Sequence, residues 1–261
     1  MCGAQVCATA CGAAQEGGPA GCGAGLTCCS LHCVDTSSEA VHCGACGNTC
    51  AAGDFCGTSG CLDVRLSSLC AISKVVVVLD GQNGDDPQGR AMAQSLVSSC
   101  VPAPVQREVS QTVADALNPS NGRPVTGGDQ LLVIAGGNYF QHAAGYLLQH
   151  QVAPISNVQN GDKYEIRHTQ SGALIASEFP GDPNHDVFVV QFMRDASTSS
   201  LILNAYGSSS EGTAAAAFYF GQVLVPDLTH ATKRWYVVDW TDKNGDQLPN
   251  MDEFALIEAG E

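Results

Sequence analysis

The stretch from Lys74 to Asp80 is Lys-Val-Val-Val-Val-Leu-Asp. Within it, Val75–Leu79 is a continuous β-branched run, which is typical of a strand that is buried on both faces in a parallel sheet. A similar run is Gln130-Leu-Leu-Val-Ile-Ala-Gly136, and helices are predicted after the two runs, at Gly89–Ser99 and Tyr139–His150. This alternation predicts an α/β domain over residues 74–261, with a mixed, partly parallel sheet and flanking helices.

The rest of this domain contains shorter patterns. Val109–Leu117 is predicted as a short helix that stops at Asn118-Pro119, and Thr213–Leu224 as an Ala-rich helix. Further strands are predicted at Lys163–His168, Ala173–Glu178, Val187–Arg194, Leu201–Tyr206 and Trp235–Trp240. Because the later strands follow one another closely, we expect antiparallel hairpins at the edge of the sheet.

Cysteine is concentrated before this domain. Twelve of the fourteen cysteines lie between Cys2 and Cys61, and the other two are Cys70 and Cys100. This density is typical of a disulfide scaffold, because a segment with few large apolar residues cannot build a core without cross-links. The sequence therefore predicts a disulfide-stapled module over residues 1–62, a connector over 63–73 and the α/β domain over 74–261.

All fourteen cysteines are predicted to be oxidised. Their number is even, as complete pairing requires, and Cys70 and Cys100 are expected to bridge within the second domain. The adjacent Cys28 and Cys29 cannot comfortably bond each other, so each must reach a different partner, although spacing does not define the pairing. The predicted disulfide residues are Cys2, Cys7, Cys11, Cys22, Cys28, Cys29, Cys33, Cys43, Cys46, Cys50, Cys56, Cys61, Cys70 and Cys100.

Zinc binding is the alternative use of these thiols. Cys43-Gly-Ala-Cys46 has the spacing of a zinc knuckle, but a zinc site needs a second such pair, and the following cysteines are spaced differently. Because disulfides require an oxidising compartment, we expect an extracellular or cell-surface protein. We also expect a mature chain whose signal peptide has been removed, since Cys2 follows Met1 directly. Lipidation of Cys2 would leave an odd number of cysteines, which counts against it.

Residues 33–61 carry the most specific cysteine pattern. They are Cys33-Val-Asp-Thr-Ser-Ser-Glu-Ala-Val-His-Cys43-Gly-Ala-Cys46-Gly-Asn-Thr-Cys50-Ala-Ala-Gly-Asp-Phe-Cys56-Gly-Thr-Ser-Gly-Cys61. This stretch resembles the cysteine-rich repeat of the plant stigma-specific protein family and of related prokaryotic surface proteins. The resemblance implies an extracellular setting and no enzymatic activity. Upstream, residues 22–33 have the adjacent-cysteine signature of knottin-like miniproteins.

The α/β domain carries a second resemblance. Leu131-Leu-Val-Ile-Ala-Gly-Gly137 leads into a helix, and Leu201-Ile-Leu-Asn-Ala-Tyr-Gly207 runs through a Ser-rich turn into the Ala-rich segment that ends at Phe220. This order resembles an α/β module of archaeal surface-layer proteins. The sequence departs from that module at Asn138, where the modules usually have Pro. The resemblance implies a structural role as a building block of an extracellular coat or polymer.

The chain is strongly acidic. It has 11 Lys and Arg against 26 Asp and Glu, which gives a formal net charge of −15. The basic residues form no cluster, so binding to nucleic acid or to anionic lipid is disfavoured. No apolar run approaches the roughly 20 residues that a membrane-spanning helix needs.

The sharpest ligand motif lies near the end of the sequence, at residues 242–253. Calcium takes about six to eight oxygen ligands, and a calcium loop supplies them from its positions 1, 3, 5, 7, 9 and 12. These positions are Asp242, Asn244, Asp246, the Leu248 carbonyl, Asn250 and Glu253. The segment resembles an EF-hand loop and its prokaryotic relatives, with Gln247 in place of the usual Gly.

We therefore predict calcium as a cofactor, in a strand–loop–helix arrangement. An acidic turn without an ion is the alternative.

The other candidate sites are weaker. Asp80–Asp86 follows a buried strand, where α/β domains tend to bind ligands, but turn chemistry explains Asp-Gly and Asn-Gly equally well. The Ser-rich run Gly207–Gly212 is explained by a helix N-terminus, where hydroxyls accept free N–H groups. The sequence contains no Gly-x-Ser-x-Gly elbow and no His pair with metal-binding spacing, so we predict no enzymatic activity.

These observations predict an extracellular structural protein that forms a coat or filament-like polymer with copies of itself. The alternative is a secreted binding or inhibitory module that recognises a protein or a glycan.

Overall fold

The structure, a computed structural model, describes residues 22, 26–30, 32–36, 39, 41–51, 54–57, 60–81, 84–125, 130–198 and 200–261. The chain divides into two compact units, Met1–Val64 and Arg65–Glu261. Most of the predicted connector 63–73 therefore belongs to the second unit. It contains the 3-10 helix Leu66–Ala71, whose Leu66 and Leu69 are buried.

The first unit contains two small antiparallel hairpins. Strand β1 (Thr27–Cys29) pairs with β2 (His32–Val34), and β3 (Phe55–Gly57) pairs with β4 (Gly60–Leu62). Its buried apolar side chains include four cysteines: they are Cys28, Cys29, Val34, Cys43, Phe55, Cys56 and Val64. Cross-links thus take the place that large aliphatic side chains hold in an ordinary core.

Disulfides interlock this unit. The bridges are Cys22–Cys33, Cys29–Cys46, Cys43–Cys56 and Cys50–Cys61. Each bridge overlaps the next one in sequence, so the four covalent loops are interlinked along the unit. Cys28 is disulfide-bonded as well, which gives the adjacent Cys28 and Cys29 different partners. All eleven described cysteines of the chain are bonded, and the predicted Cys2, Cys7 and Cys11 lie outside the described residues.

The described part of the second unit contains ten strands in two sheets. In chain order they are β5 (Lys74–Leu79), β6 (Val105–Ser110), β7 (Gln130–Ala135), β8 (Ile155–Asn160), β9 (Lys163–His168), β10 (Leu174–Glu178), β11 (His185–Asp195), β12 (Ser200–Tyr206), β13 (Trp235–Thr241) and β14 (Phe254–Gly260). The large sheet has the order β14-β13-β11-β12-β7-β5-β6, and the small antiparallel sheet has the order β10-β9-β8.

Three α-helices accompany these strands in the described residues. They are α1 (Asp86–Ser99), α2 (His142–Gln149) and α3 (Ser210–Tyr219), and α3 continues into a π-helical turn at Phe220–Leu224. A 3-10 turn, Leu228–His230, precedes β13. None of the described helices combines the length and the apolar character that crossing a bilayer requires.

The large sheet is mixed, as predicted. Strands β6, β5, β7 and β12 run parallel, whereas β11, β13 and β14 are joined antiparallel. The chain passes from β5 through α1 to β6 on one side and then returns to place β7 on the other side of β5. The direction of the connections therefore reverses between β5 and β7, and open α/β sheets bind ligands at the carboxyl ends of the strands at such a point.

Helices cover both faces of this sheet. Val76 and Val78 belong to a buried cluster that includes Tyr146 and Leu147 of α2. On the opposite face, Gly89 of α1 approaches so closely that a Cβ there would lie 3.2 Å from Val77 Cγ1. The continuous β-branched run is thus buried on both faces, and the predicted fold class is confirmed.

One predicted helix is wrong, and two strands were not predicted. Val109–Leu117 was predicted as a helix, but Val105–Ser110 is the edge strand β6, followed by turns. The spacing of Val109, Val113 and Leu117 fits a helix by itself, whereas pairing with β5 satisfies the backbone of Val105–Ser110. Strands β8 and β14 were not predicted.

The second unit has its own disulfide, between Cys70 and Cys100, as the sequence predicted. It joins the 3-10 helix Leu66–Ala71 to the C-cap residue of α1. Bridges of this type stabilise a domain by about 2–4 kcal/mol, chiefly through the unfolded state.

Candidate functional site

The predicted calcium loop connects β13 and β14. Residue pairs such as Trp240–Phe254 and Val238–Leu256 place β14 antiparallel to β13. The expected helix after the loop is therefore wrong, and the arrangement is strand–loop–strand. The physical reason lies in Phe254, whose ring packs against Phe188 and Tyr219 and so fixes the segment as the last strand of the sheet.

Asp242 organises the first half of the loop. Its Oδ1 accepts hydrogen bonds from the backbone N–H of Asn244 and Gly245, at 3.2 and 2.7 Å, and its Oδ2 accepts one from Gln247 at 2.7 Å. Gln247 has φ of +58°, the left-handed conformation that Gly usually supplies at this position. The backbone therefore coils around the buried Asp242 carboxylate.

Glu253 closes the second half of the loop. Its Oε2 accepts hydrogen bonds from Trp240 Nε1 and Asn250 N, at 3.2 and 2.9 Å, and its Oε1 accepts one from Lys243 N at 3.1 Å. Burial acts to raise the pKa of Glu253, but these hydrogen bonds outweigh it and hold the pKa below its ordinary value. The Glu253 carboxylate is thus kept ionised, as a metal ligand must be.

The remaining predicted ligands interact with one another. Asn244 Nδ2 donates to Asp246 Oδ2 at 3.1 Å, and Asn250 Nδ2 donates to the Leu248 carbonyl at 3.1 Å. The carboxylates do not converge in this conformation. Among the described residues, the only three His, Cys, Asp or Glu ligand atoms within 4.8 Å of one another belong to Cys43, Cys50 and Cys61. The all-oxygen donor set nevertheless has the chemistry that calcium prefers.

The cysteine group does not support zinc. Cys43, Cys50 and Cys61 are each bonded in a disulfide, so none of them offers a thiolate to a metal.

A cleft of about 420 Å³ lies where the carboxyl ends of β5, β7 and β12 meet the small sheet. Its walls include Asp85, Tyr139, Asn157, Tyr164 and Ser210. Part of the predicted acidic turn is structural, because Asp86 accepts hydrogen bonds from the backbone N–H of Asp80 and Gly81. Asp85, in contrast, lies in the cleft wall. Sequence reasoning missed Asn157 and Tyr164, because only the tertiary fold brings the small sheet to this place.

The Ser-rich run begins α3, as predicted. Ser209 is the N-cap residue, and its Oγ accepts a hydrogen bond from Gly212 N at 3.0 Å. The buried Asp186 of β11 accepts hydrogen bonds from the backbone N–H of Ser208 and Ser209, both at 2.9 Å. Helix capping thus accounts for these hydroxyls.

No protein-family model matches the chain, and no curated protein matches it significantly. The family resemblances described above therefore stay predictions.

Proposed function

We propose that the protein is an extracellular structural protein, a subunit of a surface coat or filament-like polymer, and that its copies associate through the open edges of the large sheet. Calcium, bound at residues 242–253, orders the hairpin that carries one of these edges. The disulfide-rich first unit supports an oxidising, extracellular setting.

The observation that carries this proposal is the exposed apolar edge at β14. This strand pairs with β13 on one side only, and no other described strand covers its outer side. The residues Leu256 and Ile257 are 57% and 41% exposed. A strand edge with exposed apolar residues is a template for pairing with another chain.

The opposite edge of the same sheet is also open. Strand β6 ends the strand order, and its Val105 is 71% exposed. Joining β14 of one copy to β6 of the next would extend the sheet from molecule to molecule, because a head-to-tail contact that does not close produces a filament. The net charge of −15 opposes such contacts, so bound and screening calcium should promote them.

Assembly should therefore depend on both edges and on calcium. We expect light scattering to show large particles in millimolar calcium and dispersed protein in chelator. Leu256→Lys and Val105→Lys should each abolish assembly, because a lysine on an edge opposes strand pairing. Val113→Lys is the matched control, since Val113 is 54% exposed but lies in a turn, and it should assemble normally. A parent protein that stays monomeric in calcium at every concentration would contradict the proposed function.

Calcium should also stabilise the native state. At a calcium concentration ten times the dissociation constant, mass action contributes about 1.4 kcal/mol, or roughly 3–6 °C in melting temperature. A single loop of extracellular type would have a dissociation constant of about 10⁻⁴–10⁻³ M. Thermal melts in calcium and in chelator should differ for the parent and for Asp252→Asn, which removes a carboxylate outside the six ligand positions. They should coincide for Glu253→Gln. Equal melting temperatures of the parent protein in calcium and in chelator would mean that residues 242–253 form an acidic turn that binds no ion.

A further inference from the structure

The cleft at the topological switch point is a second candidate site, independent of sheet-edge association. Three segments that follow parallel strands contribute to its walls: Gly84–Asp85 after β5, Gly137–Phe140 after β7 and Gly207–Ser210 after β12. The small sheet supplies Asn157 and Tyr164 from the other side. A volume of about 420 Å³ is in the range of small-molecule sites.

Asp85 is a buried acidic residue that no positive charge of the described residues compensates. The residue is only 6% exposed, and its Oδ1 has no hydrogen-bond partner among the described residues. Burial and, after it, the neighbouring charges of Asp80, Asp86 and Glu211 together raise its pKa from 3.8 to about 6. Asn157, on the facing small sheet, also has a buried Oδ1 that no described residue hydrogen-bonds. Buried acceptors in this state call for a donor or a positive charge.

The charge distribution excludes an anionic ligand. Two helix N-termini lie beside the cleft, and such termini commonly bind phosphate or carboxylate groups. Here the chain itself supplies the negative charge: Asp86 lies in the first turn of α1, and Asp186 accepts the N–H groups that precede α3. None of the described wall residues is Lys, Arg or His.

The remaining walls are aromatic. Tyr139, Phe140 and Tyr164 line the cleft, and the rings of Tyr139 and Tyr164 meet edge to face with centroids 5.9 Å apart. Tyr139 and Phe140 are both largely exposed, so part of this aromatic surface remains open to a ligand. Aromatic rings together with a carboxylate recognise organic ammonium groups, through the ring quadrupole and through charge pairing.

We propose that this cleft binds a small organic ammonium ion, with its positive group compensating Asp85 and its apolar part against Tyr139, Phe140 and Tyr164. A metal ion fits less well. Asp85 is the only Asp, Glu, His or Cys among the described wall residues, whereas a calcium ion takes six to eight oxygen ligands, several of them from carboxylates. The ligand is therefore a molecule with both a cationic and an apolar part.

Three probes of matched shape and different charge test this proposal. They are 2-phenylethylamine, which is a cation at neutral pH, the neutral 2-phenylethanol and the anion phenylacetate. Calorimetric titration of the whole chain should show the amine binding at least about tenfold more tightly than the alcohol, and phenylacetate should not bind.

Asp85→Asn should weaken amine binding by at least about tenfold and bring it close to that of the alcohol. Glu211→Gln is the matched control: it removes a nearby charge of equal sign that is not in the cleft wall, and its effect should be smaller, about threefold or less. Melting curves show whether each variant is folded.

The proposal is overturned if the alcohol binds as tightly as the amine, if phenylacetate binds best, or if Asp85→Asn keeps the affinity of the parent. Absence of amine binding at millimolar concentration overturns it as well. Because Asp85→Asn leaves both sheet edges and the 242–253 loop intact, its calcium-dependent assembly should match the parent, so this proposal and the proposed function fail separately.

Discussion

Replacing Asp186 with alanine is expected to destabilise the α/β unit by about 3–4 kcal/mol. Asp186 is completely buried, and its carboxylate holds the start of α3 against β11. Its Oδ1 accepts a hydrogen bond from Ser208 N, and its Oδ2 accepts bonds from Ser209 N and Ser209 Oγ, at 2.9, 2.9 and 2.6 Å. Alanine would leave all three donors without this acceptor.

The packing around this carboxylate is tight as well. Gly212, in the first turn of α3, lies so close that a Cβ there would come within 2.0 Å of Asp186 Oδ2. Burial raises the pKa of Asp186, and the hydrogen bonds from Ser209 and Ser208 oppose that rise. The buried carboxylate is therefore tolerated only because these donors face it. Removing the carboxylate leaves the donors buried without a hydrogen-bond acceptor.

Chemical denaturation followed by tryptophan fluorescence measures this effect. Both tryptophans, Trp235 and Trp240, lie in β13, so the signal reports on the second unit alone. Asp162→Ala, at an exposed hairpin turn, is the matched control and should change the free energy of unfolding by less than about 0.5 kcal/mol. A loss below about 1 kcal/mol for Asp186→Ala would show that the start of α3 is held by other contacts.

Asp186 also shows where sequence reasoning ends. The runs at Lys74–Leu79 and Gln130–Ala135 predicted their strands correctly, because a continuous β-branched or aliphatic segment has few other uses in a chain of this type. The capping role of Ser209 was likewise visible locally, from hydroxyls placed before an Ala-rich helix. The role of Asp186 as the acceptor that anchors this cap could not be predicted, because Asp186 lies 23 residues away from Ser209, on a different strand.

The main errors in the secondary structure predicted from the sequence concern edge strands, and they have a physical reason. Val105–Ser110 and Phe254–Gly260 are covered on one side only, and their patterns mix polar and apolar residues without clear alternation. Their conformation is decided by the neighbouring strand and not by local preference. The cleft could not be predicted from the sequence for a similar reason. Asp85 stood out only as part of an acidic turn, and only the tertiary fold brings Asn157 and Tyr164 into the same cleft wall.

Asp85→Asn should stabilise the protein above pH 6, in contrast to most substitutions of buried polar residues. The pKa of Asp85 is raised from 3.8 to about 6, by burial first and then by the charges of Asp80, Asp86 and Glu211. The folded state therefore binds a proton more tightly than the unfolded state does. Stability falls as the pH rises from about 3.8 to about 6, and the full penalty remains at higher pH.

The size of this penalty follows from the shift. At about 1.4 kcal/mol per pKa unit, a shift of this size corresponds to roughly 3 kcal/mol, and screening by water in the cleft reduces the expected gain to about 2 kcal/mol. Asparagine keeps the shape of the side chain and removes the charge. A carboxylate that lowers stability in this way is typical of a site retained for binding, because functional groups are often kept where they oppose folding.

Denaturation of Asp85→Asn and the parent at pH 7.5 and at pH 4 tests this prediction. The variant should be more stable at pH 7.5, and the difference should shrink towards zero at pH 4, where the parent carboxyl is largely protonated in the folded state. Asp86→Asn is the matched control, and we expect it to destabilise the protein at neutral pH. The reason is that the Asp86 carboxylate accepts hydrogen bonds from Asp80 N and Gly81 N. A variant no more stable than the parent at pH 7.5 would mean that the Asp85 charge is already compensated, and that the cleft has no need of a cationic ligand.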